Sequence, residues 1–149
     1  MGLDMYLYKK HYVQNWDHSK SKFQVTLTKN GETIPLSDPV YIVEQAGYWR
    51  KANAIHQWFV NNVQGGKDDC GEYYASPEKL EKLLDICNAV IADPSQANEL
   101  LPTASGFFFG STEYGEYYLD DIAHTVKIIE QALADYDNTD VSFYYHSSW

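Results

Sequence analysis

The chain holds a single arginine, and it sits in the block Tyr48-Trp49-Arg50-Lys51-Ala52-Asn53-Ala54-Ile55-His56-Gln57-Trp58. A guanidinium is a planar fork of donors that matches carboxylate or phosphate and stacks on aromatic rings. Lys51 stands beside it, and helical spacing predicts a helix starting at the same place. The pair would therefore share its surroundings with unpaired backbone N–H groups and the positive end of a helix dipole. That is chemistry for holding an anion. Asn53 and His56 add hydrogen-bonding groups, and Trp49 and Trp58 add flat faces on which a base can stack. The competing reading of Arg50-Lys51 is a surface ion pair with one of the 21 carboxylates of a chain whose net charge is −10.

Carboxylates gather in Asp68-Asp69-Cys70-Gly71-Glu72 and in Glu113, Glu116, Asp120 and Asp121, around the segments Gly71-Glu72-Tyr73-Tyr74 and Gly115-Glu116-Tyr117-Tyr118. Paired carboxylates do acid–base work or hold Mg²⁺, and they also sit at helix starts simply to complement the dipole. The run Ser105-Gly106-Phe107-Phe108-Phe109-Gly110-Ser111-Thr112 places three aromatics between glycines. Glycines let a backbone approach a ligand closely, and Ser111 and Thr112 can donate to it; the alternative is a buried strand with turn glycines. The run is neither a P-loop, which needs Gly-Lys-Ser/Thr, nor a dinucleotide fingerprint. His56 near an apolar face reads equally as a hydrogen-bonded core histidine. Paired with Asp69, Glu72 or Glu116 it would be a minimal hydrolase set, but no nucleophile elbow, kinase lysine–aspartate set or His-Glu-x-x-His occurs. His11, His18, His124, His146, Cys70 and Cys87 lack ligand spacing, so no metal and no cofactor are expected.

Composition bounds the reading further. The chain has 149 residues, 44% of them hydrophobic, which suits one folded domain over residues 1–149. Thirteen tyrosines, four tryptophans and six phenylalanines are an unusual aromatic load, and tyrosine serves both core margins and recognition surfaces. A pI near 4.7 argues against nucleic acid and anionic membranes as partners, and it would suit a basic protein partner. Two cysteines are too few for a disulfide framework. With no leader and no spanning apolar run, a soluble, cytoplasmic protein is expected. A homo-oligomer stays open.

The elements that must position these residues follow from periodicity. Residues 3–8 and 22–28 alternate as strands, the second with Phe23, Val25 and Leu27 on one face, and residues 11–21 read as a loop between them. Asn30-Gly31 predicts a hairpin with 32–34 as its return strand. Pro35 and Pro39 bracket a loop, and 40–43 form a short strand. A helix over 49–62 would turn Ala52, Ile55, Phe59 and Val63 inward and Arg50, Lys51, Ala54, Gln57 and Trp58 outward. Ser76-Pro77-Glu78 caps a second helix with Leu80, Leu83, Leu84, Cys87, Val90 and Ile91 at core spacing, ending before Pro94. A third helix covers 118–135, with Leu119, Ile122, Val126, Ile129 and Leu133 inward, and 141–147 close the sheet as a strand. The fold class is α+β: a single domain, a mainly antiparallel sheet, and about three helices packed on one face.

Met1-Gly2-Leu3-Asp4-Met5-Tyr6-Leu7, the block from Tyr48 to His56, Asp68-Asp69-Cys70-Gly71-Glu72-Tyr73-Tyr74, the stretch 105–118 and the ending Phe143-Tyr144-Tyr145-His146-Ser147-Ser148-Trp149 together resemble a family of small phage and prophage proteins. The resemblance spans nearly the whole chain and implies expression inside a bacterial host. By analogy with small phage accessory proteins it points to countering host defence by sequestering a host signal. The reading is a non-catalytic site for a small anionic, nucleotide-like ligand, built from Trp49, Arg50, Lys51, Asn53, His56, Trp58, Tyr73, Ser111, Thr112 and Tyr117. The alternatives are an acidic inhibitor of a basic host enzyme and a small hydrolase using His56 with a carboxylate.

Overall fold

The structure is a computed structural model that describes residues 2–20, 22–37, 39–136 and 140–149. Met1 of the opening motif and Ser21 of the expected 11–21 loop lie outside the described residues. In chain order, β1 (Asp4–Val13) leads into two small hairpins, β2–β3 (Asn15–Trp16, Ser19–Lys20) and β4–β5 (Leu27–Lys29, Glu32–Ile34). Then come β6 (Val40–Arg50), α1 (Asn53–Asn62), β7 (Glu72–Ala75), α2 (Pro77–Ala92), a 3-10 turn, α3 (Ala97–Leu100), α4 (Glu116–Ala134) and β8 (Val141–Ser148).

Alternation along β1 sets the two faces of the sheet. Met5 and Leu7 are fully enclosed while Tyr6 and Tyr8 point the other way. β6 and β8 pair antiparallel with β1 on either side, and β7 extends the sheet beyond β8, giving the order β6-β1-β8-β7. Cross-strand partners share a face, so Trp49, Ala75, Phe143 and Tyr145 join Met5 and Leu7 in the core. Ile55 and Phe59 of α1, Leu80, Leu83, Cys87 and Val90 of α2, and Ile122 and Ile129 of α4 complete it. The architecture is α+β, with an antiparallel sheet and its helices on one face, as the patterning predicts. Gly47 permits a close approach of sheet to helix: a Cβ there would lie 2.4 Å from Ile128 Cγ2 of α4.

The opposite face collects Tyr41, Tyr48, Tyr6, Tyr8, Tyr12, Tyr144 and Tyr74 from four strands, because each occupies the outward step of its register. Charges on this face are paired, Lys10 with Glu72 and Arg50 with Asp4, and the Lys10 ammonium sits 4.1 Å from the centre of the Tyr144 ring.

Several expectations shift. The strand expected over 40–43 runs on to Arg50, because β-favouring Tyr48 and Trp49 still pair with Tyr6 and Met5. The helix expected from 49 therefore starts only at Asn53. Trp58 and Ala54, expected outward, are buried, because α1 is enclosed on several sides and buries seven of its ten residues. The strand expected over 22–28 shrinks to β4; Phe23, Val25 and Leu27 alternate but stay exposed, and among the described residues no strand pairs with 23–26. The hairpin forms as expected, Asn30 and Gly31 both taking the positive φ its tight turn requires. In α2, Ser76 caps through Lys79 N–H, but Leu84 is only half-buried and Ile91 is exposed. In α4 the stripe rotates to Tyr118, Ile122, Thr125, Ile128, Ile129 and Ala132, leaving Leu119, Val126 and Leu133 half-buried. The two Gly-Glu-Tyr-Tyr segments differ in conformation: the first is strand β7, the second the start of α4.

Candidate functional site

β6 ends at Arg50, and the chain must reverse direction within two residues to begin α1. Lys51 makes that turn with φ 58, a conformation a lysine adopts only when its surroundings hold it there. The holding groups are visible: Lys51 N–H donates to the Leu3 carbonyl at 2.7 Å, and Asn53 N–H donates to the Lys51 carbonyl at 2.9 Å. Gly110, at φ 84, brings the glycine-rich loop against Lys51, and a Cβ added there would meet Lys51 Cβ at 3.2 Å.

Asn53 fastens that loop to the helix. Its Nδ2 donates to the carbonyls of Phe109 (3.0 Å) and Ser111 (2.8 Å), and its Oδ1 accepts from Ala104 N–H (3.0 Å). Thr103 Oγ1 donates to the Thr112 carbonyl at 2.9 Å, and Ser111 Oγ accepts from Glu113 N–H at 3.1 Å. Tyr118 Oη ties the start of α4 to the Leu101 carbonyl at 2.8 Å. The loop is thus laced to both helix starts.

Between them lies a cleft of about 310 Å³, lined by Arg50, Lys51, Ala52, Asn53, Ala54 and Ile55 from the β6–α1 corner, Thr103, Gly110, Ser111 and Glu113 from the loops, and Tyr117, Tyr118, Asp120, Asp121 and Ile122 from α4. Neither α1 nor α4 has a side-chain cap at its N-terminus, and residues from the first turns of both helices line the cavity. Arg50 is more than half exposed, and its Nη1 lies 3.6 Å from Asp4 Oδ1, beyond hydrogen-bonding reach. Gly2 leaves room beneath the cations, since a Cβ there would lie 3.2 Å from Lys51 Cε and 3.5 Å from Arg50 Nη2. Tyr117 is 84% exposed at the cleft. Burial pushes the Asp121 carboxyl up to about 6, with His124 opposing the shift and Asp120 adding to it.

Of the residues expected in a site, Arg50, Lys51, Asn53, Ser111 and Tyr117 line this cleft, and the others lie elsewhere. Thr112 contributes its carbonyl to the loop lacing. Trp49 is enclosed in the core, its indole N–H donating to Thr125 Oγ1 at 2.8 Å. Trp58 lines a separate groove with Ile86, Leu100 and Leu101. Tyr73 sits on the outer strand, its hydroxyl donating to the Asp69 carboxylate, whose pKa that bond lowers. His56 is wholly enclosed, with Nδ1 2.7 Å from Tyr145 Oη and Nε2 3.0 Å from Asp68 Oδ2. Its carboxylate partner is Asp68, not Asp69, Glu72 or Glu116, and Asp68 also accepts from the Trp149 indole at 3.0 Å. Thr103 carried no signal of its own in the sequence, whereas Glu113, Asp120 and Asp121 stood in the carboxylate cluster.

Among the described residues, no group of three or more His, Cys, Asp or Glu is placed to hold a metal ion, and no helix is long and apolar enough to cross a membrane. No family model, curated protein or solved structure matches the chain.

Proposed function

We propose that this protein binds and sequesters a small anionic, nucleotide-like host signal without transforming it, acting as a phage-encoded antagonist of host defence inside the bacterial cell. One observation carries the binding reading: first-turn residues of two uncapped helices, Arg50 and Lys51 line a single cleft with an exposed aromatic ring. The cations and backbone N–H groups supply what a phosphate needs, and Tyr117 supplies a face for a base, the role the sequence offered to Trp49, Trp58 or a tyrosine of a Gly-Glu-Tyr-Tyr segment. A cleft of about 310 Å³ is at the small end of ligand sites and suits one nucleotide unit. The phage setting rests on the family resemblance of the opening, central and closing motifs. Enclosure of His56 by Tyr145 and Asp68 favours binding over hydrolysis.

Titration calorimetry with inorganic pyrophosphate and a mononucleotide panel tests the reading. Arg50→Ala should weaken binding by about 1.5–3 kcal/mol, the value of a hydrogen bond to a charged group, with little change in melting temperature. Arg50→Lys should recover only part of the loss, since an ammonium lacks the fork. Undiminished affinity in Arg50→Ala, with lowered stability instead, would make the Asp4 pair its role and end this reading.

A second reading, an acidic inhibitor of a basic host enzyme, is favoured by the tyrosine-rich sheet face, where Tyr41 is 63% and Tyr74 is 55% exposed. It takes precedence if Tyr41→Ala and Tyr74→Ala abolish antagonism of host defence while Arg50→Ala leaves it intact.

A further inference from the structure

The cleft has two walls of opposite sign. Arg50 and Lys51 stand at the β6–α1 corner, whereas α4 presents Asp120 and Asp121, with Glu113 nearby on the loop. A site for a bare anion has no use for the second wall, which repels it. Asp121 is the informative member. It is half-buried, and among the described residues no hydrogen bond or ion pair engages its carboxyl; the bond recorded at Asp121 uses its backbone carbonyl, which accepts from Thr125 Oγ1 at 2.7 Å. A part-buried carboxylate is less fully solvated than a free one, and a ligand that supplies two donors recovers what that burial costs. Burial raises this carboxyl's pKa to about 6, consistent with a group whose partner arrives with the ligand.

Tyr117 and Asp121 are four residues apart on α4, hence neighbours on one helix face. A ring stacked on Tyr117 would therefore bring its edge toward Asp121. An ionised carboxylate has two oxygens and only accepts, so it is matched by two adjacent N–H donors. Guanine carries that pair on its base-pairing edge. Adenine places a lone-pair nitrogen beside its single amino group there, and hypoxanthine keeps only the ring N–H. We infer that the cleft selects a guanine nucleotide, its phosphate at Lys51 and Arg50, its base on Tyr117 and its donor edge on Asp121. This deepens the anion-site reading and rests on it.

The test is calorimetry at pH 7.5 with GMP, IMP, AMP and inorganic pyrophosphate, on the unaltered protein, Asp121→Asn and Asp121→Glu. GMP should bind about tenfold tighter than IMP, with AMP weaker still, each charged hydrogen bond being worth roughly one decade. In Asp121→Asn the order should vanish or invert, because an amide offers one donor and one acceptor, the complement of adenine. Asp121→Glu, which keeps the charge but moves it by a methylene, should lose most of the preference. Pyrophosphate, which reaches only the cationic corner, should bind all three proteins within about twofold. Equal affinity for the three nucleotides, or a guanine preference untouched in Asp121→Asn, overturns the base-edge assignment and leaves the anion site standing if pyrophosphate still binds. Failure of pyrophosphate and every nucleotide to bind removes both.

Discussion

Asp121 is a residue whose presence costs the fold something, and that cost can be measured. Its carboxyl, ordinarily near 3.8, is pushed up to about 6, mainly by burial. The groups facing it are His124 and Asp120 on its own helix and, across the cleft, Glu113, Arg50 and Lys51. A carboxyl with a raised folded pKa holds its proton more tightly in the folded than in the unfolded chain. Stability therefore falls as pH rises from about 3.8 through about 6, and stays at the lower level above that. Asp121→Asn removes the penalty. Its melting temperature should exceed that of the unaltered protein at pH 7.5 and approach it near pH 4. An Asn variant less stable at both values would show that Asp121 holds the fold together, and would weaken its assignment to a ligand. Removal of a cost of this kind often accompanies loss of function. Lys51 is a second such residue, since its positive φ is sustained by hydrogen bonds that also shape the cleft.

At the scale of elements, the corner where β6 becomes α1 decides what the single arginine can do. Helical periodicity placed Arg50 and Lys51 inside a helix because Ala52, Ile55, Phe59 and Val63 share one stripe. Residues 49 and 50 are nevertheless strand, held by cross-strand pairing to β1, which a local pattern cannot register. The same limit hid the burial of Trp58. A stripe identifies one buried face, and α1 has more than one because the groove with Ile86, Leu100 and Leu101 lies against its other side. What depends on local chemistry was readable: the Asn30-Gly31 turn, the Ser76 cap, and the strand alternation of β8 and of the first half of β1, whose second half falls where a loop was expected over 11–21. Asn53 was read as a ligand contact, but its side chain is spent on the loop, bonding two carbonyls and one N–H. Asn53→Ala should then destabilise the protein by about 2–4 kcal/mol, because buried backbone groups lose their partners. Amides of residues 104–112 should exchange faster with deuterium than those of α2. A variant of unchanged stability that still loses ligand would return Asn53 to the binding role.

At the scale of the whole molecule, the proposed anion site sits in a chain of net charge −10, and the two act at different ranges. Lys51 and Arg50 would touch the ligand, whereas most carboxylates lie farther away and contribute a repulsive field. Salt separates the two effects. The screening length falls from about 30 Å at 0.01 M to about 8 Å at 0.15 M, so distant repulsion is lost while contact attraction largely survives. Added salt should therefore raise the association rate of an anionic ligand, the reverse of a basic protein that steers anions inward. Stopped-flow tyrosine fluorescence with GMP, from 0.01 to 0.15 M NaCl, reads this directly, because Tyr117 would report arrival of the base. The rate should climb severalfold and the dissociation rate should change less. In Arg50→Ala the association rate should rise with salt just as steeply, because the distant field is unchanged, while dissociation becomes faster at every salt concentration. An association rate that falls with salt would mean that the cleft's own positive corner governs the approach. The acidic surface would then be a matter of solubility alone, with no part in setting which ligands reach the site.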